Sequence, residues 1–303
     1  MPPAFRAAPV RVRVPATSAN LGPGFDCAGL ALALHDHVEV QVVDAGLSVD
    51  IAGEGAETLP RTERHLLVKA LRATFDRLGG QPRGLEVRCA NRIPHARGLG
   101  SSAAAISAAV VAARALVLGG GQVLDDDAAL ALATELEGHP DNVAACLRGG
   151  LTLAWTGAGG SGAVRLEPSA ELAPVAFVPA TTSSTKKARG MLPERVPHAD
   201  AAANAARAAL LAHAVTTDPS LLMTATEDRL HQQYRAPAQK RTAALVERLR
   251  TEGVPAVVSG AGPTVLALTV HETREVALDR APRGWTALPL DVERSGAGVV
   301  RAD

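Results

Sequence analysis

The stretch Pro94-His95-Ala96-Arg97-Gly98-Leu99-Gly100-Ser101-Ser102-Ala103-Ala104 decides how the rest of the chain is read. Its glycines permit positive φ and let the backbone come close to an anion. It runs straight into an alanine-rich segment, Ser101 to Leu118, which three glycines end. Alanine is the best helix former, so this is the clearest helix in the sequence. The two serines therefore stand at a helix N-terminus, where unpaired N–H groups and the helix dipole favour phosphate. Their hydroxyls also suit a phosphate oxygen or a hard cation.

Three readings of the loop compete: a nucleotide-phosphate cradle, a dinucleotide site, and a structural turn capping a helix. Gly98-Leu99-Gly100-Ser101-Ser102-Ala103 does fit G-x-G-x-x-A. That motif should follow a buried first strand and precede an acidic residue by about 20 positions. Here that place falls among Leu118 to Gly121, which weakens the dinucleotide reading. A Walker A loop is excluded, because no Gly-Lys-Ser/Thr occurs. Phosphate binding and a plain turn both stay open on pattern alone.

Working outward, Pro9 to Pro15 alternates Val and Arg and predicts a half-exposed strand. Ala16 to Gly24 reads as a turn-rich segment. Val38–Val43 predicts a strand with Leu47–Ile51 as its partner. Leu66–Leu78 predicts a helix closed by Gly79-Gly80, and Leu85–Cys89 a strand. Asp125 to Asp127 suit the start of a helix ending at Glu137 before Gly138. Leu151–Thr156 predicts a strand. The glycine-rich run Gly157 to Gly162 breaks the pattern, and a domain boundary is placed there. Beyond it come a strand at Val175–Pro179 and helices near Ala199–Thr216, Leu221–Tyr234 and Ala238–Glu252. Strands at Val254–Val258 and Thr264–Val270 flank Ser259-Gly260-Ala261-Gly262-Pro263. The whole reads as α+β with two domains, 1–160 and 161–303.

Composition narrows the function classes. The chain has 303 residues, 47% hydrophobic and 20% charged, which suits a globular protein rather than a disordered one. Lys plus Arg number 31 and Asp plus Glu 31, and aromatics make up only 2%, so neither a basic patch nor stacking rings point to nucleic acid. No apolar run approaches the roughly 20 residues of a membrane span, and the N-terminus has no signal core. A soluble, cytoplasmic protein is expected. Cys27, Cys89 and Cys146 form no CxxC or Cys/His pattern and read as reduced structural thiols.

The loop, written Pro-x-x-x-Gly-Leu-Gly-Ser-Ser-Ala-Ala, resembles the ATP loop of the GHMP kinases. Two more signatures of that family match in order: Pro15-Ala16-Thr17-Ser18-Ala19-Asn20-Leu21-Gly22-Pro23-Gly24-Phe25-Asp26, and Ser259-Gly260-Ala261-Gly262-Pro263-Thr264. The resemblance spans almost the whole chain. It implies a two-domain GHMP kinase fold: an N-terminal ribosomal protein S5 domain 2-like, ATP-binding region over 1–160, and a C-terminal ferredoxin-like α/β sandwich over 161–303. A homodimer is common among relatives, though no residue here demonstrates one.

Within the family, the first signature and Glu137-Gly138-His139-Pro140-Asp141-Asn142-Val143-Ala144 are most similar to the branch that phosphorylates the side-chain hydroxyl of L-homoserine. Ser184-Thr185-Lys186-Lys187-Ala188-Arg189 and Asp228-Arg229-Leu230-His231-Gln232-Gln233-Tyr234-Arg235 match the same branch. Another acceptor, such as mevalonate or a sugar, is the alternative. The resemblance implies substrate contacts at Asn20, Asp26, His139, Thr185, Arg189 and Arg235. The two arginines suit a carboxylate, since guanidinium binds it in two-pronged geometry. Asp26 suits the substrate's positive end. The resemblance assigns ATP to Pro94–Ala104 and Mg²⁺ to Ser102 and Glu137, with Glu135 the neighbouring decoy. It makes Asp141 the group that receives the acceptor's proton or only positions its hydroxyl, with Asn142 bracing the loop. Where relatives carry Asn-Leu-Val near adenine, this chain has His65-Leu66-Leu67-Val68 preceded by Arg64, so His65 either replaces that contact or lies on the surface. The third signature either touches substrate and phosphates or supports the site. A non-catalytic sensor with this fold would be expected to lack Ser102, Glu137 or Asp141, and all three are present.

Overall fold

The computed structural model describes residues 3–183 and 188–300 of the chain. The first sheet is organised by one long strand. β1 (Val10–Asn20) pairs antiparallel with β2 (Gly24–Val43) along almost its whole length. The second half of β2 then pairs with β4 (Gly84–Asn91) and its first half with β5 (Leu151–Gly157), which continues into β6 (Gly160–Leu166). β3 (Gly46–Gly53) completes one edge by pairing parallel with β4.

Several of these elements depart from sequence expectation for physical reasons. Ala16–Asn20 is not a turn but the continuation of β1, buried and registered against Gly24 and Gly29–Leu32 of β2. The turn itself is short, and Asn20 and Leu21 carry positive φ of 70° and 47° there. Leu47–Ile51 is a strand as expected, yet its partner is β4 rather than β2, because α1 (Leu66–Arg77) carries the chain across to make a parallel pair. Gly157 to Gly160 is the tight turn of the β5–β6 hairpin.

The helices pack on β1 and β2. α2 (Ser101–Leu116) buries Ala103, Ala104, Ala108, Ala109, Ala112 and Ala113 completely. So many methyl-sized side chains let it approach its neighbours closely, which is how a core with almost no aromatics stays filled. After a short turn of helix, α3 (Gly120–Val123), α4 (Asp126–Glu137) begins on the side chain of Asp125, which accepts from Ala128 N at 2.8 Å, and ends on Gly138 at φ 91°. α5 (Pro140–Arg148) follows directly, with Pro140 in its first turn. Sequence reading misses α5, since nine residues with a proline carry little helical signal.

The second sheet runs β10 (Trp285–Pro289), β7 (Val175–Pro179), β9 (Val265–Ala267), β8 (Ala256–Val258), all antiparallel. In chain order that is 4-1-3-2, the order of a ferredoxin-like sheet. α6 (His198–Thr216) matches expectation. The helix expected over Leu221–Tyr234 does not run through. It breaks into α7 (Leu222–Ala225) and α8 (Gln232–Arg235), because the Asp228 carboxylate accepts from the backbone N–H of Leu230, His231 and Gln232 at 2.9, 3.2 and 2.7 Å. α9 (Lys240–Thr251) and α10 (Arg274–Leu278) cover this sheet. The chain then returns to the first sheet, where β11 (Gly298–Val300) pairs with β1. Among the described residues no helix is long and apolar enough to cross a membrane.

Gly29 on β2 shows how closely the fold sets the cleft: a Cβ there would lie 2.3 Å from the carbonyl oxygen of Asp141 in α5. Gly29→Ala should therefore push α5 off the sheet, with an overpacking cost of about 1–3 kcal/mol. Urea unfolding checks this, and an unshifted midpoint would contradict the contact.

Candidate active site

Between the two sheets lies a cleft. Its walls are the Ala96–Ser102 loop, the ends of β1 and α4, the start of α5, and Gly260–Gly262 from the β8–β9 turn. The loop is held open from several sides. Ala96 takes positive φ of 55°, and its carbonyl accepts from Ser183 N at 2.9 Å. A Cβ on Gly98 would fall 2.3 Å from the Ser259 carbonyl oxygen, and one on Gly100 would collide with the Thr17 hydroxyl. Only glycine fits either place.

Of the eleven residues from Pro94 to Ala104, the structure turns Ala96, Gly98, Gly100, Ser101 and Ser102 to the cleft. Leu99, Ala103 and Ala104 are fully buried in the core. Arg97 faces away, donating to the carbonyls of Pro179 and Ala180 at 3.0 Å each, so it ties the loop to the second sheet. His95 lies beside Asn91, and Pro94 does not line the cleft. Gly100 is the N-cap of α2 at φ 71° and offers no side-chain cap. The first N–H groups of α2 are thus left for an anion in the cleft.

Ser102 donates to Glu137 Oε2 at 2.6 Å across this end of the cleft. Burial holds the Glu137 carboxyl above its usual range, a rise that the Ser102 bond and nearby His139 partly offset. Glu137 is also the last residue of α4, where the helix dipole disfavours negative charge. A carboxylate kept in such a place suits a cation. Magnesium commonly takes only one or two protein oxygens and completes its shell with water and phosphate, so the Ser102–Glu137 pair fits it. Among the described residues there is no cluster of three or more His, Cys, Asp or Glu to cage a metal. Glu135, the decoy, is exposed and pairs with Arg77 on the surface at 2.8 Å.

Asp141 sits in the first turn of α5, only 2% exposed. Its Oδ1 meets His139 Nδ1 at 2.9 Å and accepts from Asn142 N at 2.8 Å. Oδ2 has no partner among the described residues and is left for a ligand. Asn142 is braced in turn by the Thr17 hydroxyl at 2.8 Å. The Asp141 carboxylate holds the His139 imidazole above its usual range, against the opposing effect of burial.

At the other end of the cleft, Arg189 makes a two-pronged ion pair with Asp26, Nη1 to Oδ2 at 2.8 Å and Nη2 to Oδ1 at 2.6 Å. Arg235 is 3% exposed and has no carboxylate partner among the described residues. It contacts the carbonyls of Ala188 and Gly260 at 3.3 and 3.4 Å and His231 Nδ1 at 3.1 Å. The Phe25 ring lies under both guanidiniums, 5.6 Å from Arg189 and 5.4 Å from Arg235. Asn20 is committed to the scaffold: it donates to Gly260 O at 2.9 Å and accepts from Asp26 N at 3.0 Å. Thr185 lies outside the described residues.

Elsewhere, His65 is buried rather than on the surface. Its Nδ1 caps α1 by accepting from Leu67 N at 3.2 Å, and its Nε2 is buried without a partner among the described residues. Cys89 and Cys146 are buried, with thiols pushed up to about 12 by desolvation, while Cys27 is only half-buried. Residues that sequence reading left without a role are Phe25, His231 and Thr17. Each acts through packing or a long-range contact that spacing does not reveal.

The family GHMP kinases N terminal domain matches residues 65–150, and GHMP kinases C terminal matches residues 199–287. A homoserine kinase of Streptomyces avermitilis is 63% identical over 98% of this chain and 98% of its own. One from Streptomyces coelicolor is 64% identical over 98% and 96%. Among solved structures, a homoserine kinase from Cytophaga hutchinsonii superposes with a TM-score of 0.83 at 26% identity, covering 96% of this chain and 97% of that one.

The His139–Asp141 contact makes a titration testable. His139 should titrate above the ordinary histidine value of about 6.5, and Asp141→Asn should bring it down. The stability this contact lends is full below that ordinary value and is lost as pH rises through the higher folded-state value. Histidine NMR reads the midpoint directly; one unmoved by Asp141→Asn would contradict the assignment.

Proposed function

The chain belongs to the homoserine kinase family of the GHMP kinases, and from that premise we propose that it transfers the γ-phosphoryl group of ATP to the side-chain hydroxyl of L-homoserine. The products are O-phospho-L-homoserine and ADP, with a proton released from the hydroxyl. Threonine biosynthesis is the setting that this activity implies. The observation that carries the reading is a cleft with an uncapped helix N-terminus at one end and, at the other, a buried guanidinium with no carboxylate partner among the described residues.

In this reading the N–H groups of α2 and the Gly98–Gly100 backbone cradle the phosphates. Ser102 and Glu137 would hold Mg²⁺, which would supply positive charge to the transferring group. The acceptor hydroxyl donates to Asp141 Oδ2, and its proton passes to that oxygen as the phosphoryl group arrives. His139 and Asn142 keep Asp141 Oδ1 occupied, so the free oxygen points one way. A loose phosphoryl transition state asks little of a base, and most acceleration comes from positioning and charge stabilisation.

Specificity follows from the charges. Asp26 and Arg189 satisfy each other in the absence of acceptor. A zwitterion separates them without leaving either bare: its ammonium takes Asp26, and its carboxylate takes Arg189 and Arg235. An acceptor with one charge leaves a partner unsatisfied, at about 1.5–3 kcal/mol for a hydrogen bond to a charged group.

Two measurements test this. In a coupled ADP-release assay, homoserine should exceed 4-hydroxybutanoate and 3-aminopropanol by roughly 10- to 150-fold in kcat/KM, following that energy, and mevalonate and sugars should give no turnover. Equal rates for mevalonate or a sugar would overturn the acceptor assignment. Asp141→Asn should lower kcat by about 10²–10⁴-fold, the range of general-base catalysis. A loss below tenfold would contradict proton transfer to Oδ2.

A further inference from the structure

His231 is fully buried, yet both its ring nitrogens are engaged. Nε2 lies 2.8 Å from the carbonyl oxygen of Gly22, an atom that only accepts. Nδ1 lies 3.1 Å from Nη1 of Arg235, an atom that only donates. Both contacts are satisfied together by one form only, the neutral ring protonated on Nε2. The ring also packs on Phe25, with centroids 5.2 Å apart, and Phe25 is the surface over which Arg235 lies. The backbone bearing His231 is held by the Asp228 carboxylate, which takes three consecutive N–H groups. The turn bearing Gly22 is equally pinned: a Cβ there would fall 2.5 Å from the Thr226 carbonyl oxygen.

We propose that His231 is a positioning residue for the acceptor's carboxylate, fixing through Nδ1 the direction in which the Arg235 guanidinium enters the cleft. Ordering a long arginine chain is costly in rotamer entropy, and the imidazole adds a shorter contact to the long ones from the Ala188 and Gly260 carbonyls. The histidine and the Gly260 carbonyl together take up Nη1, and Nη2, which has no partner among the described residues, is left for the ligand. This inference rests on the reading of Arg235 as a carboxylate contact. The groups facing the imidazole are Arg235 on its own helix, Asp228 in the preceding turn with Oδ2 3.6 Å from Nε2, and Asp26 on β2. Burial keeps the ring neutral down to pH values below the ordinary one, with Asp228 opposing and Arg235 reinforcing that effect. Protonation would set an N–H against the Arg235 N–H and turn the guanidinium away.

The full-length enzyme and three variants, Arg235→Ala, His231→Leu and His231→Gln, are compared by steady-state kinetics toward homoserine and ATP. His231→Leu should raise KM for homoserine about 10-fold or more, the effect of losing one hydrogen bond to a charged group, with kcat and KM for ATP changed less than about threefold. His231→Gln, whose amide can donate to Gly22 and accept from Arg235, should restore most of the loss. In the wild type, KM for homoserine should hold steady through the ordinary histidine value of about 6.5 and climb only at lower pH, and the Gln variant should lack that climb. The pH comparison needs only the wild type and the Gln variant, so it decides the matter even where His231→Leu fails to fold. Equal rises in both KM values, or an acid climb that survives in His231→Gln, would overturn the positioning role. An unchanged homoserine KM in Arg235→Ala would instead overturn the carboxylate reading itself.

Discussion

The contact between two glycine-bearing loops, one from each sheet, sets everything else. The Ser259 hydroxyl donates to the Gly98 carbonyl at 2.5 Å and sits 2.8 Å from the Ser18 hydroxyl. A side chain on Gly98 would strike the Ser259 backbone. The Ala96–Ser102 loop, the end of β1 and the β8–β9 turn therefore meet at one point, and the cleft is the space that this junction leaves. Arg97 reinforces it from behind by holding two carbonyls at the end of β7. Shape here comes from backbone approach rather than from large side chains, which suits a chain so poor in aromatics.

Within that space the charges are arranged against local stability. Glu137 ends a helix where the dipole disfavours it, and burial disfavours its charge further. Among the described residues Arg235 is buried without a carboxylate partner, and a neighbouring arginine adds to its cost. Violations of this kind concentrate where a ligand completes the pairing. Asp26 and Arg189 are the contrasting case, complete in themselves and opened only by a ligand carrying both charges. The cleft thus holds one half-built anion site and one closed ion pair side by side, with Phe25 beneath both guanidiniums.

Much of this was legible in the sequence, and the reasons are local. Gly98, Gly100 and the serines sit where a helix begins, and alanine propensity makes that helix unmistakable. Asp125 and Gly138 mark both ends of α4 by capping chemistry. Arg189 and Arg235 could be picked out only through the signatures around them, since a lone arginine says nothing. What stayed hidden depended on distant partners. Ala16 to Gly24 looked turn-rich because it holds turn-formers, but for Ala16–Asn20 burial against β2 outweighs that preference. β3 found β4 instead of β2 because strand order is a property of the whole sheet. The break at Asp228 depends on a single carboxylate capturing three N–H groups, and periodicity overlooks it. His231 stood inside a recognised signature, yet its role needed the Gly22 carbonyl, more than two hundred residues away in sequence.

The most direct test is a crystal structure with L-homoserine and a non-hydrolysable ATP analogue bound together. The account predicts the terminal phosphate over the first turn of α2, beside Ser102 and Glu137, with the acceptor hydroxyl about 3–3.5 Å from the reacting centre. The substrate carboxylate should lie on Arg235 and on an Arg189 that has left Asp26. Homoserine bound outside this cleft, or an Asp26–Arg189 pair still closed with substrate in place, would contradict it.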